Sequence, residues 1–276
     1  MPATLTLSEL GERVLVIAAH PDDEVLVAGG TIHALRARGA RVRVLLLTAG
    51  DGYLRAARRL GRFSSGKVAY RRLGELRFRE SVDAAGTLGV PADDVLCLGY
   101  PDGRLISMLD SDREPSRAAA GRSGSAVVPY DWAYRPGAPC AGDELASDLA
   151  SVVREYEPTA VVYPHMRDAH GDHAAAAAFT DEALDSCGFD GMRLTCLVHH
   201  GHYPYPWAYR PSYPISPPRA LRGGDICWVR VPLEPADIAA KEAALRAFPS
   251  QDAIPDLRYF MRAFVRSDEL FVRRCP

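Results

Sequence analysis

The sequence lacks the features that mark membrane, secreted and nucleic-acid-binding proteins. No apolar run approaches the roughly 20 residues needed to span a bilayer, and residues 1–12 do not combine a basic start with a long apolar run. The formal net charge is only −2, so no strongly basic face for nucleic acid is expected. We therefore expect a cytoplasmic protein without a transmembrane segment or a nucleic-acid partner; the sequence does not indicate its oligomeric state.

Patterned cysteines are also absent. The six cysteines contain no C-x-x-C pair and no evenly spaced framework, so we predict reduced, mostly buried thiols and no thiolate zinc site. Hydrophobic residues make up 47% and charged residues 25% of the 276 positions, which is ordinary for a globular protein of this size. We predict a single domain over residues 1–276.

Apolar runs alternate with helical patterns along most of the chain. This alternation predicts a Rossmann-like, doubly wound α/β fold, with a mostly parallel sheet and helices on both faces. The first four predicted strands are Arg13–Ala19, Arg41–Thr48, Asp94–Leu98 and Thr159–Tyr163. The predicted helices between and after them are Glu24–Arg38, Tyr70–Leu88, Gly142–Tyr156 and His173–Ser186. Later strands are expected near 194–199, 225–231 and 269–274, with a helix over 234–248.

Two segments interrupt this alternation. Residues 99–141 are too long for an ordinary connection, so we expect either an excursion that covers a substrate or a partly disordered surface loop. Residues 203–218 interleave tyrosine and tryptophan with proline. Such a stretch suits either a rim that grips an aromatic or sugar-bearing ligand or packing over the sheet edge.

The first candidate site follows the apolar run Val14–Ala19. His20, Asp22 and Asp23 come at the carboxyl end of that predicted strand, where open α/β sheets place their ligands. One interpretation makes His20 and Asp23 metal ligands and leaves Asp22 free as a base. The other makes Asp22 or Asp23 the N-cap of the following helix.

A second cluster follows the predicted strand that ends at Tyr163. It contains His170, Asp172 and His173, and in a parallel sheet both strand ends open on the same edge. His20, Asp23 and His173 would together supply two imidazoles and one carboxylate, the ligand set of a catalytic zinc with an open position. The same set also describes the facial triad of non-haem Fe(II) oxygenases, and Asp172 could instead simply cap a helix.

Both clusters resemble motifs of the LmbE-like, or PIG-L, family of zinc-dependent N-acetylglucosamine deacetylases. The family motif A-H-P-D-D-E is intact as Ala19–Glu24, and its H-P-D-H motif is similar to His170–His173, with Gly171 in place of proline. Weaker similarities lie at 48–51, 77–80, 98–102 and from Lys241 to Gln251.

The resemblance implies a role for each matching residue. His20, Asp23 and His173 would hold Zn²⁺, or another divalent metal such as Fe²⁺. Asp22 would be the general base, and His170 an assisting acid that Asp172 orients or tunes. Three further residues match positions that bind the sugar, and these are Arg77, Asp102 and, more weakly, Asp51.

The same resemblance implies an enzyme that hydrolyses the N-acetyl group of an N-acetylglucosaminyl conjugate, a small-molecule glycoconjugate. The long excursion and the Tyr/Pro-rich segment predict a wide mouth, which suits a glycopeptide antibiotic pseudoaglycone, as in antibiotic biosynthesis. The alternative within the family is a small GlcNAc conjugate of the mycothiol type. A non-haem Fe(II) oxygenase and a non-catalytic sugar-binding protein are the alternatives from other classes.

Overall fold

A computed structural model of the chain describes residues 2–60, 66–118, 120–223 and 226–274. Within these ranges one sheet of eight strands has the order β1-β7-β8-β6-β5-β2-β3-β4. The strands are β1 (Ala3–Thr4), β2 (Arg13–Ala18), β3 (Arg41–Thr48), β4 (Val95–Tyr100), β5 (Ala160–Pro164), β6 (Met192–Cys196), β7 (Trp228–Pro232) and β8 (Asp268–Arg273). Cys275, one of the six cysteines for which we predicted reduced, mostly buried thiols, lies outside the described residues.

The expected mostly parallel α/β fold is confirmed, and the late strand β8 is the antiparallel member of the sheet. Strands β2 to β6 pair in parallel, whereas β8 is antiparallel to both β6 and β7. Helices cover both faces, so the central strands are almost wholly apolar and buried. The helices are α1 (Asp23–Ala37), α2 (Leu54–Leu60), α3 (Lys67–Thr87), α4 (Leu105–Leu109), α5 (Gly142–Tyr156), α6 (Gly171–Ser186), α7 (Pro235–Leu245), α8 (Pro249–Asp252) and α9 (Pro255–Arg262).

The strand order reverses between β2 and β5. The chain runs outward from β2 through β3 to β4 and then returns to place β5 on the other side of β2. At such a switch point the loops that leave two neighbouring strands diverge and open a crevice at their carboxyl ends. The two sequence clusters follow β2 and β5, so the topology brings them to this crevice.

Both irregular segments have ordered contacts with the rest of the fold. In the excursion, the Trp132 ring stacks on Phe78 of α3 with centroids 4.2 Å apart. In the Tyr/Pro-rich segment, Tyr203 is buried, and the buried Arg266 donates to the Pro206 carbonyl at 2.7 Å. The described parts of both segments therefore pack against the sheet and its helices.

Candidate active site

His20, Asp22 and Asp23 form the turn that leads from β2 into α1. Asp23 Oδ2 accepts a hydrogen bond from the His20 backbone N–H at 2.9 Å. Asp22 occupies the N-cap position, but its side chain makes no capping hydrogen bond. Its φ of 99° is strained for a residue other than glycine. Helix capping therefore does not explain the Asp22 carboxylate.

His170, Asp172 and His173 form the corresponding turn between β5 and α6. His170 is the N-cap residue, and its Nδ1 accepts the Asp172 backbone N–H at 3.3 Å. His170, and not Asp172, thus caps this helix. Asp172 and His173 are buried in the first helical turn, on the side that faces His20.

Three atoms from the two turns form a compact triangle. His20 Nδ1 lies 3.2 Å from His173 Nε2 and 3.4 Å from Asp23 Oδ2. His173 Nε2 lies 3.1 Å from the same carboxylate oxygen. Ligands about 2.0–2.1 Å from a tetrahedral zinc ion are about 3.3–3.4 Å apart, so these residues fit one such ion. Other groups whose donor atoms lie within 4.8 Å of one another draw on His170, His199, Asp102 and Asp172.

Carboxylates lie behind both imidazoles of the triangle. His20 Nε2 is 3.1 Å from Asp172 Oδ2 and 3.3 Å from Asp102 Oδ1. His173 Nδ1 is 3.4 Å from Asp168 Oδ2. A carboxylate on the far nitrogen fixes the tautomer and orientation of a metal-binding imidazole. Asp172 is within hydrogen-bond distance of His20 Nε2, whereas among the described residues His173 Nδ1 makes no hydrogen bond and only lies near Asp168. His20 Nδ1 and His173 Nε2, which face Asp23, are the atoms available to a metal.

The Asp172 carboxylate differs in its partner from the sequence expectation. It was expected to orient His170, but besides His20 it accepts the backbone N–H groups of Gly103 at 2.6 Å and Leu105 at 3.0 Å. The reason is helical geometry: as the cap, His170 precedes the helix, while the Asp172 side chain points toward β2 and the excursion. Asp172 therefore links His20 to the start of the excursion.

The charges of the cluster favour a cation at the triangle. Burial alone would raise the pKa of Asp23, but the His173 and His20 imidazoles overcome it and hold that pKa well below its usual range. Burial opposes protonation of His173, yet Asp23 and Asp168 raise its pKa to about 9. Carboxylates that stabilise protons on buried imidazoles also stabilise a metal cation placed between them.

The Asp22 side chain contacts Arg77 and is not part of the triangle. Arg77 Nη2 donates to Asp22 Oδ2 at 3.0 Å and to the Pro21 carbonyl, and Nη1 donates to the Gly50 carbonyl at 3.0 Å. Burial raises the pKa of Asp22 to about 7, although the Arg77 charge opposes the shift. A carboxylate with a pKa near 7 is suited to accept a proton from water. The Arg77 guanidinium is thus occupied largely by the Asp22 turn.

Asp102 and Asp51 lie on the excursion side of the crevice. Asp102 Oδ2 accepts the Gly52 backbone N–H at 2.9 Å, and Asp102 lines a cavity together with His20 and Asp22. Asp51 does not line that cavity. Its buried carboxylate accepts the Tyr130 hydroxyl at 3.1 Å and the Asp102 backbone N–H at 3.3 Å. Asp51 therefore holds the loop that carries Asp102.

Sequence reasoning assigned no role to Asp168 or His199, yet both lie at this site. Asp168 accepts the backbone N–H groups of His170, Val198 and His199 at 2.8–3.0 Å, in addition to its contact with His173. The His199 ring lies 5.2 Å from His173 and stacks on Phe260 at 5.3 Å. The available signal was that β6, a neighbour of β5, also ends at this edge with polar residues.

Several of these residues line a cavity of about 440 Å³. The cavity has a polar, charged part and an apolar wall that is formed mainly by Leu26, Leu257 and Phe260. Its residues are His20, Asp22, Asp23, Leu26, Gly52, Tyr53, Arg77, Asp102, Gly103, Arg122, His170, His199, Gln251, Leu257 and Phe260. The cavity is large enough for a sugar, and two residues of the triangle, His20 and Asp23, line it, while His173 is buried behind them.

Comparisons with known proteins agree with this geometry. A family model described as PIG-L, GlcNAc-PI de-N-acetylase, matches residues 15–184. A 1D-myo-inositol 2-acetamido-2-deoxy-alpha-D-glucopyranoside deacetylase of Tsukamurella paurometabola is 31% identical over 190 residues, which cover 65% of this chain and 57% of that protein. The chain spans about half the length of the curated relatives it matches.

Two solved structures share the fold. The A40926 pseudoaglycone deacetylase superposes with a TM-score of 0.61 at 17% identity, covering 95% of this chain and 96% of that one. The zinc-inhibited form of a teicoplanin deacetylase gives a TM-score of 0.57 at 18% identity, covering 95% and 97%. In the described part of the chain, no helix has the length and hydropathy to cross a membrane.

Proposed function

The chain belongs to the PIG-L family, and on this premise we propose that it hydrolyses the N-acetyl group of an N-acetylglucosaminyl conjugate, giving acetate and the free amine. The observation that carries the proposal is the triangle of His20, Asp23 and His173, with 3.1–3.4 Å between its donor atoms and a separate buried carboxylate, Asp22, beside it. Three ligands with an adjacent free base are what metal-assisted amide hydrolysis requires.

We assign the metal to His20 Nδ1, Asp23 Oδ2 and His173 Nε2. When bound there, zinc or a similar divalent ion acts as a Lewis acid and lowers the pKa of water. Asp22 accepts a proton from the attacking water as its oxygen bonds to the acetyl carbonyl carbon. Asp22 then returns this proton to the amide nitrogen as the carbon–nitrogen bond breaks, so acetate and amine are released.

His170 donates a hydrogen bond to the carbonyl oxygen as negative charge develops on it. Because His170 Nδ1 accepts the Asp172 N–H, the neutral ring carries its proton on Nε2. Burial lowers the pKa of His170, and the neighbouring His20 and His173 lower it further. The neutral ring is still a donor through Nε2, so His170 can assist the reaction without a positive charge.

The three residues expected to bind the sugar receive different tasks. Asp102 remains a ligand for sugar hydroxyls, because it lines the cavity next to His20. Arg77 also lines the cavity, but its bonds to Asp22 and two carbonyls favour a second task, which is to position the base. Asp51 acts indirectly, because its carboxylate holds the loop that carries Asp102.

The two candidate substrates within the family differ in the acceptor group, which is the group attached to the sugar. The curated relatives are named as deacetylases of a GlcNAc–inositol conjugate, which favours a small conjugate of the mycothiol type over the glycopeptide pseudoaglycone. The glycopeptide alternative is supported by the exposed rings of the Tyr/Pro-rich segment, since Tyr205 is 75% and Trp207 48% exposed. The solved glycopeptide deacetylases are too dissimilar in sequence to decide between them.

Acetate release by the zinc-loaded protein tests the proposal. The panel contains N-acetylglucosaminyl-inositol, a glycopeptide pseudoaglycone and methyl N-acetylglucosaminide, each assayed with and without oxygen. Release from at least one conjugate, independent of oxygen and absent from the Asp22→Asn variant, is the expected result. Failure of the entire panel would refute the proposal, and a requirement for oxygen would favour an Fe(II) oxygenase.

A further inference from the structure

A second cavity of about 390 Å³ lies beside the candidate active site. It is formed by the Tyr/Pro-rich segment and the turn that follows, and its lining residues include His200, His202, Tyr203, Tyr205, Arg219 and Arg222. This part of the chain follows residue 184, where the match to the family model ends. The second cavity is therefore not built by the segment that carries the metal triangle.

The two cavities adjoin each other. His199 lines the first cavity and the next residue, His200, lines the second. The Trp207 indole bridges them, because it packs edge-on against Phe260 of the first cavity at 5.4 Å and against His202 of the second at 6.5 Å. Residues that line the two cavities are therefore neighbours along the chain and across the Trp207 ring.

The wall of the second cavity is aromatic and held in place. Tyr203 is buried and packs edge-on against Phe264 at 5.9 Å. Arg266, which is 2% exposed, anchors the Pro206 carbonyl. Tyr205, by contrast, is 75% exposed at the rim. A fixed aromatic wall with an open rim suits a flat ring.

The same cavity is cationic. Arg219 and Arg222 line it, and no aspartate or glutamate among the described residues does so. Within the described ranges neither guanidinium forms an ion pair; Arg222 Nε donates only to the Pro217 carbonyl, at 2.8 Å. Guanidinium groups without a carboxylate partner are suited to bind an anionic group of a ligand.

We propose that the second cavity binds the group attached to the sugar, and that this group is an aromatic carboxylic acid. Its ring packs on Tyr203 and Tyr205, and its carboxylate faces Arg219 and Arg222. This inference rests on the proposed deacetylase function, and it deepens that function by naming the chemical class of the acceptor group. An aromatic acid there would distinguish this chain from the curated relatives, whose named substrate carries inositol.

Three conjugates of N-acetylglucosamine test the inference: the 4-carboxyphenyl, 4-carbamoylphenyl and methyl glycosides. We expect kcat/KM for the carboxylate to exceed that for the neutral amide by about fivefold, as two partly exposed ion pairs would give. The Arg219→Ala/Arg222→Ala variant should remove this preference. Arg38→Ala, an exposed arginine at the opposite edge of the sheet, is the matched control and should keep it.

A second variant and a binding assay separate the possible failures. Tyr205→Ala should lower kcat/KM for both aromatic conjugates and not for the methyl glycoside. Hydrolysis of all three conjugates with equal efficiency, or a carboxylate preference that survives loss of both arginines, would overturn the inference and leave the deacetylase proposal standing. If no conjugate releases acetate, calorimetric titration with 4-hydroxybenzoate tests the cavity directly. Binding that weakens in the Arg219→Ala/Arg222→Ala variant supports the inference. Absence of binding to the unmodified protein overturns it.

Discussion

Replacing Asp168 by asparagine should weaken zinc binding without touching any proposed ligand. The Asp168 carboxylate is buried and lies 3.4 Å from His173 Nδ1, on the side opposite the metal triangle. Asparagine has nearly the same shape and can still accept the backbone N–H groups of Val198 and His199 through one oxygen. It removes the negative charge beside the imidazole and also the acceptor for the His170 backbone N–H. Loss of such a carboxylate typically costs 10–100-fold in metal affinity, or about 1.4–2.7 kcal/mol.

The zinc Kd of the Asp168→Asn protein can be measured by competition with a chromophoric chelator at fixed pH. Asp185→Asn is the matched control, because Asp185 is on α6, the helix that carries His173, but is 67% exposed and pairs with Arg193. The control should bind zinc like the unmodified protein. An Asp168→Asn Kd within twofold of the unmodified value, in a protein of unchanged thermal stability, would refute the argument that Asp168 orients His173.

Three further variants have expected outcomes. Asp22→Asn should keep its zinc and slow acetate release by about 10²–10⁴-fold, the usual contribution of a general base; loss of zinc instead would exchange the roles of Asp22 and Asp23. His170→Ala should also keep zinc and slow release by about 10²–10³-fold, as for one lost oxyanion donor; an unchanged kcat would exclude His170 from the reaction. Burial raises the pKa of Asp51 to about 6, so the folded state binds its proton more tightly than the unfolded chain. Its stabilising contribution is therefore present below about pH 4 and lost as pH rises through about 6. The unfolding free energy of the unmodified protein minus that of Asp51→Asn should fall by about 2–3 kcal/mol over this range in denaturant titrations, and a flat difference would show that Asp51 titrates normally.

The sequence predicted the parts of the site that depend on strand ends. Buried parallel strands are nearly continuous apolar runs, so a polar residue directly after such a run marks the edge where a site can form. This signal located His20 and Asp23 after β2 and His173 after β5. Their meeting required only that the two strands be parallel and adjacent, as β2 and β5 are.

Which carboxylate pairs with which imidazole could not be predicted from the sequence. Asp172 and His173 are consecutive on a helix and therefore point about 100° apart, so which imidazole Asp172 reaches depends on how α6 packs against β2. Asp51 similarly bonds Tyr130, 79 residues later in the excursion. Contacts over such separations leave no local pattern, so the bond between Asp51 and Tyr130 could not be predicted; the expectation that Asp51 binds sugar came from the family resemblance.

Two short elements, β1 and α9, were not predicted because they leave too little local pattern. β1 has two residues, and α9 has eight, which is too few for periodicity to be distinctive. Yet α9 supplies Phe260 and Leu257 to the apolar wall of the first cavity. The final strand β8 was predicted, but its antiparallel pairing with β6 and β7 depends on the path of the preceding chain.

The distribution of these features along the chain separates the chemistry from the choice of substrate. The metal triangle, the base and the carboxylates behind them come from residues 20–173, within the segment that the family model matches. The second cavity and, except for Leu26, the apolar wall come from residues after 198. A change in the first set alters groups that we propose act on the amide bond and should appear in kcat. A change in the second set alters contacts with the acceptor group that are the same before and during bond cleavage, so it should appear mainly in KM.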